Sequence, residues 1–142
     1  MIKNILHPGN YSISINMAIL LLRITAGGFM LTHGMGKFSS LFGSEAIQFP
    51  DPIGVGAAAS LALAVFSEVL CSLFLIFGIA TRLSAIPLII TMLVAAFIVH
   101  AADGFGKQEL PLLYMVIYIV LAISGSGKIS VDRLIFNKLD HN

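Results

Sequence analysis

Four apolar runs of near-membrane length dominate this chain: Ile15–Thr32, Val55–Ile79, Leu83–Val99 and Leu110–Ser124. A helix needs about 20 residues to cross roughly 30 Å of hydrocarbon. Backbone groups in lipid must hydrogen-bond within their own segment, so isolated runs of this length imply helices. The second run is long enough to tilt. The third and fourth reach sufficient length by borrowing Thr81, His100 and Glu109 from their flanks. The expected fold is all-α, an integral membrane four-helix bundle with spans at about 14–36, 54–79, 82–100 and 109–125. One transmembrane domain over 1–142, with short cytoplasmic tails, accounts for the whole length.

Composition supports this class. Only 11% of residues are charged, against about 25% in soluble domains, and mean hydropathy is +0.98. A net charge of +1 and the lack of a basic stripe argue against nucleic acid as a partner. The lipid bilayer is the partner the composition does imply.

Loop chemistry falls between the runs. Phe49-Pro-Asp-Pro-Ile53 blocks a helix before the second span, because proline lacks a donor and restricts its predecessor. Gly78-Ile-Ala-Thr-Arg82 makes a short link, Asp103-Gly-Phe-Gly106 a third one, and Gly125-Ser-Gly127 ends the fourth span. Pro87 falls in the first turns of the third span. Gly125-Ser-Gly-Lys128 is a turn rather than a phosphate loop, since Ala122 and Ile129 occupy positions that need Gly and Ser/Thr. Ser130 is a candidate N-cap for a short surface helix over Ser130–Leu139.

Four spans place both termini on one side. That side carries Lys3, Arg82, Lys128, Arg133 and Lys138, and the other only Lys37 and Lys107. The positive-inside rule therefore predicts cytoplasmic termini. The first run begins late, contains Arg23 and lacks a small-residue cleavage site, so it reads as a retained helix.

Ionisable residues inside these spans carry the functional signal, because a charge in the bilayer core is costly unless paired, hydrated or in use. Arg23, Gly27, Met30, Gly34 and Lys37 share one stripe of the first helix, with His33 near it. Ala57, Leu61, Ala64, Glu68 and Ser72 share a stripe of the second. Both mix small and polar residues, as protein-facing surfaces do. Counting residues from the cytoplasmic ends puts Arg23 and Glu68 at similar depth, which predicts an ion pair between them. Such a pair would either fix helix register or hold a cofactor or relay a proton.

A second group gathers at the far ends of the spans: His33, Lys37, His100 and Glu109. Two histidines from different helices at one level are able to meet a quinone carbonyl, with haem iron ranked below it. The plain alternative is interfacial side chains reaching water. No metal site is expected, since no second ligand lies at metal spacing on one helix. Cys71, alone in its apolar run, reads as a small core filler.

The ordered set resembles the DoxX family: Leu22-Arg23, His33-Gly-Met-Gly-Lys37, Glu68, Gly78-Ile-Ala-Thr-Arg82, Met92 to His100, Glu109, and Gly125-Ser-Gly-Lys-Ile-Ser-Val-Asp132. The resemblance covers about residues 14 to 133. It implies a small four-helix protein of the cytoplasmic (inner) membrane, linked by the family's name to a quinol oxidase subunit. Distant relatives resemble quinone-linked vitamin K epoxide reductase-like proteins, but those use cysteine pairs that this chain lacks.

Three functions follow in order of expectation. The first is a redox-linked membrane subunit binding a quinone or similar lipophilic cofactor, with Arg23, His33, Lys37, Glu68, His100 and Glu109 as candidate contacts. The second is a non-catalytic accessory or assembly protein that binds another membrane protein. The third is an ion or proton pathway. Expected partners are subunits of a membrane redox complex or further copies of the chain; the sequence assigns no catalytic residue.

Overall fold

The computed structural model describes residues 6–140, so Lys3 and His141 lie outside the described residues. The described residues form helices and no strand. Four helices are long and apolar enough to cross a membrane: α1 Ile13–Phe42, α2 Ala57–Phe77, α3 Thr81–Val99 and α4 Phe105–Ser124. A fifth, α5 Val131–Asp140, lies beyond them.

α1 starts at Ser12, whose hydroxyl accepts from the Ile15 amide at 3.5 Å. It runs to Phe42, past the expected end near residue 36. α4 likewise starts at Phe105 rather than near 109. Apolar runs measure the depth of hydrocarbon, whereas a helix continues until its backbone bonds run out, here at Gly43.

α1 and α2 approach closely through glycine. A Cβ on Gly27 would lie 3.0 Å from the Ser72 carbonyl oxygen, and one on Gly34 would lie 3.0 Å from Glu68 backbone carbon. Close backbone approach lets dispersion hold helices together where lipid removes the hydrophobic drive. Met30, Leu75, Leu88, Met92, Tyr118 and Leu121 are buried in the core, and Cys71 sits among them as a filler.

One end of the bundle is laced by polar side chains. Arg23, 1% exposed, donates from Nε to the Leu75 carbonyl (2.8 Å) and from Nη2 to the Ile76 carbonyl (3.0 Å). Its Nη1 donates to the carbonyls of Ser126 and of Ile129, the latter at 3.0 Å. The guanidinium thus caps the C-terminus of α2, where cations are favoured by the helix dipole, and pins the 125–130 turn beneath it. Asp132 accepts from the amides of Ala80 and Thr81 at 2.6 and 3.0 Å, capping α3. Arg82 donates to the carbonyls of Ala122 and Ile123 at the end of α4. Asn16 accepts from the Lys128 amide at 2.7 Å, and Pro8 from the Gly127 amide at 2.9 Å. Residues 6–12 and 125–140 therefore share this end. Ser130 caps α5 as expected, its hydroxyl accepting from the Arg133 amide at 3.2 Å.

The expected Arg23–Glu68 pair does not form. Arg23 meets Leu75 and Ile76, about two turns or ~12 Å along α2 from Glu68. α1 extends beyond the end of α2 and packs its first turns on the 126–128 segment. Axial stagger of this kind is invisible in an apolar run, which fits lipid equally well at either register.

Candidate functional site

The polar residues of the opposite end belong to three elements. Lys37 lies in the extended last turns of α1, Glu68 in mid-α2 and His100 at the end of α3. Lys37 Nζ is 2.5 Å from Glu68 Oε1. The carboxylate expected to face Arg23 faces this lysine instead. The glycine at position 34 brings the α1 backbone against Glu68, and Lys37 continues the same stripe one turn on.

α2 and α3 each contain a π-helical turn here, over Phe66–Cys71 and Ala95–Val99. Such turns add a residue to the local repeat and recur at functional sites. The first carries Ser67 and Glu68 inward together, so both are buried.

Between α2 and α3 lies a pocket of about 470 Å³. Leu63, Ala64, Phe66, Pro87, Ile90, Val94 and Val99 form its apolar walls, with Lys37, Ser60, Ser67, Glu68 and His100 as polar lining residues. Phe49, Pro50, Pro52 and Ile53 close one side as a strap. Leu63, Phe66, Ile90 and Val99 are also exposed on the bundle surface, so the pocket borders the lipid-facing side.

Asp51 fixes the strap. Its carboxylate accepts from the Ser60 hydroxyl at 2.7 Å and from the Gly56 and Val55 amides at 2.8 and 3.0 Å. These bonds tie the strap to the start of α2, and the Ser60 hydroxyl, then the Gly56 amide, hold the Asp51 carboxyl below the usual carboxylate range.

The sequence candidates divide. Lys37, Glu68 and His100 line one pocket. Arg23 is at the other end, occupied by four backbone carbonyls. His33 is exposed and packs edge-on to Tyr114 of α4, their ring centroids 6.2 Å apart. His100 pairs through Nδ1 with Asp103 Oδ2 at 2.7 Å, so the two histidines face different neighbours instead of one ligand. Glu109 is an exposed residue in the first turns of α4 and does not line the pocket. Ser67, Asp51 and Phe49 are site residues that the sequence reading missed. The Pro-Asp-Pro break before α2 was a usable signal for Asp51; nothing in the helical periodicity pointed to Ser67. Among the described residues no three His, Cys, Asp or Glu side chains form a metal-binding group.

Two residues that line the pocket each keep a buried oxygen with no hydrogen-bond partner: Glu68 Oε2 and Ser67 Oγ. Buried polar atoms are nearly always paired, so this wall is chemically unfinished.

The DoxX family model matches residues 18–101, more than half of the chain. The chain belongs to the DoxX family. It is 32% identical over 126 residues to an "Uncharacterized protein" of Haemophilus influenzae, covering 84% of this chain and 83% of that one. It is 30% identical over 124 residues to the "Putative oxidoreductase CatD" of Bacillus subtilis, covering 87% of this chain and 90% of that protein. It is also 28% identical over 127 residues to the "Inner membrane protein YqjF" of Escherichia coli, covering 87% and 95%. No solved structure matches the chain. The DoxX match spans Arg23 and the three residues gathered at the pocket, and stops short of Glu109.

Proposed function

We propose that this DoxX protein is a redox-linked membrane protein that binds a quinone or similar lipophilic molecule in the pocket between α2 and α3. One observation carries the reading: an apolar pocket of about 470 Å³ whose lining includes the Lys37–Glu68 pair and two residues, Glu68 and Ser67, that keep an unpartnered buried oxygen. Ligand sites commonly measure about 300–1,000 Å³ and combine apolar walls with a few convergent polar groups. The residues fit such a head group: Lys37 and His100 offer donors, Phe49 and Phe66 offer ring faces, and the lipid-side border suits a ligand dissolved in the bilayer. The name of the Bacillus subtilis relative agrees with a redox role.

The cytoplasmic (inner) membrane is the proposed location, in keeping with the name of the Escherichia coli relative. Arg82, Lys128, Arg133 and Lys138 share the end that holds residues 6–12, so we assign that end to the cytoplasm. The pocket then lies toward the outer half of the bilayer.

Purified protein should bind decyl-benzoquinone in detergent, measured by equilibrium dialysis. Ala64→Phe, which fills the pocket from its wall, should weaken that binding at least about tenfold without lowering the melting temperature. Equal binding by the filled variant would rule the pocket out.

A further inference from the structure

We infer that the pocket prefers the hydroxyl-bearing form of such a ligand, a phenol or hydroquinone, over the carbonyl-bearing quinone, and that Glu68 sets the preference. The inference rests on the pocket reading above and goes beyond it to the redox form bound.

Glu68 is 3% exposed and lines the pocket. Lys37 takes its Oε1, leaving Oε2 shut from water and without a partner. As the anionic half of an ion pair, a carboxylate only accepts hydrogen bonds. A ligand O–H answers that need directly, after a small turn about the terminal torsion, which is soft for glutamate. A quinone carbonyl brings lone pairs to the same place and is repelled. The neighbouring Ser67 hydroxyl, also unpartnered, donates or accepts and so serves either form.

Lys37 is the competing consideration, since its ammonium has protons left for a carbonyl. Its side chain is 31% exposed, however, so those protons reach solvent when no ligand is present. Glu68 Oε2 has no such recourse. A buried group left unpaired costs more than a solvated bond gains, and the ligand that repairs it is favoured. Phe49 and Phe66 in the lining suit an aromatic hydroxyl better than an aliphatic one.

The test uses the full chain in detergent under anaerobic conditions, with decyl-benzoquinone, its two-electron-reduced hydroquinone, and decanol as probes. The hydroquinone should bind about tenfold or more tightly than the quinone, with decanol weaker than the hydroquinone. In Glu68→Gln the amide supplies a donor as well as an acceptor, and the ratio should fall toward one. Should that variant not fold, the wild-type protein still decides, since tighter binding of the reduced form must move the midpoint potential of the bound couple to more positive values. Equal affinities, a quinone preference, or an unchanged ratio in a folded Glu68→Gln protein overturns the inference and leaves the pocket reading standing. Decanol binding as tightly as the hydroquinone overturns the aromatic assignment. Binding of neither ring form overturns the pocket reading and this inference with it.

Discussion

Lys37 of α1 places its ammonium 2.5 Å from Glu68 Oε1 of α2, and this pair, in place of Arg23–Glu68, is an ion pair that joins the two helices. The carboxylate is buried while the ammonium is about one-third exposed. Their contributions are therefore unequal. Lys37→Met should strand a buried anion and cost about 2 kcal/mol, below the value for a fully dry pair. A double-mutant cycle with Glu68→Gln, read by thermal unfolding in detergent, should show the double variant recovering part of the loss. Strict additivity would mean the contact contributes nothing.

Arg23 behaves as a cap. Arg23→Gln should lower stability by about 3 kcal/mol, because four backbone carbonyls, two of them in fully buried bonds, lose a charged donor. Arg23→Lys should recover little, since a point charge cannot reach four acceptors in the guanidinium's fork. Quinone affinity in the folded fraction should stay unchanged, and the Arg23→Gln and Glu68→Gln losses should add. Coupling between them would restore the ion pair expected from the sequence.

Glycine substitutions separate helix contact from helix propensity. A Cβ on Gly34 would stand 2.8 Å from Val69 Cγ2 and 3.0 Å from Glu68 Cβ, whereas one on Gly28 meets nothing within 4 Å. Gly34→Ala should destabilise by about 1–3 kcal/mol, and Gly28→Ala should be neutral or stabilise by up to about 1 kcal/mol. Melting temperatures of the two variants test the contrast. Similar values would deny the close approach of α1 and α2.

The two histidines should part company. His100→Gln alters the pocket lining and should reduce ligand retention, measured by chromatography of extracted lipids. His33→Gln, on an exposed face beside Tyr114, should leave retention intact. Loss in the His33 variant alone would place the ligand on the α1–α4 side.

Acid should loosen the strap. The Asp51 carboxyl is held below its ordinary value near 3.8, first by the Ser60 hydroxyl and then by the Gly56 amide. A depressed folded-state pKa contributes stability that is complete above the unfolded value and fades as pH falls through the folded one. Limited proteolysis within residues 43–56 should therefore accelerate below about pH 4. Asp51→Asn should remove that acid step. A pH-independent cleavage rate in the wild-type protein would contradict the role of the Asp51 bonds.

The sequence by itself determined the four helices, their order and their apolar faces. Lipid leaves the backbone no other partner, and the Gly and Pro breaks between runs are local chemistry. It also picked out Lys37, Glu68 and His100, because ionisable groups at membrane depth are costly enough to stand out. Tertiary structure decided which charges meet. The stagger of α1 past α2 moved Arg23 to the end of α2 and gave Glu68 to Lys37. That slide is set by Gly27 and Gly34 fitting the α2 backbone and by the 125–130 turn filling the space under it. The π-helical turn that buries Ser67 beside Glu68 departs from the regular period inside one helix, and the strap that Asp51 ties to Val55, Gly56 and Ser60 meets the pocket only once α2 and α3 are packed. Helical periodicity along one segment has no term for either.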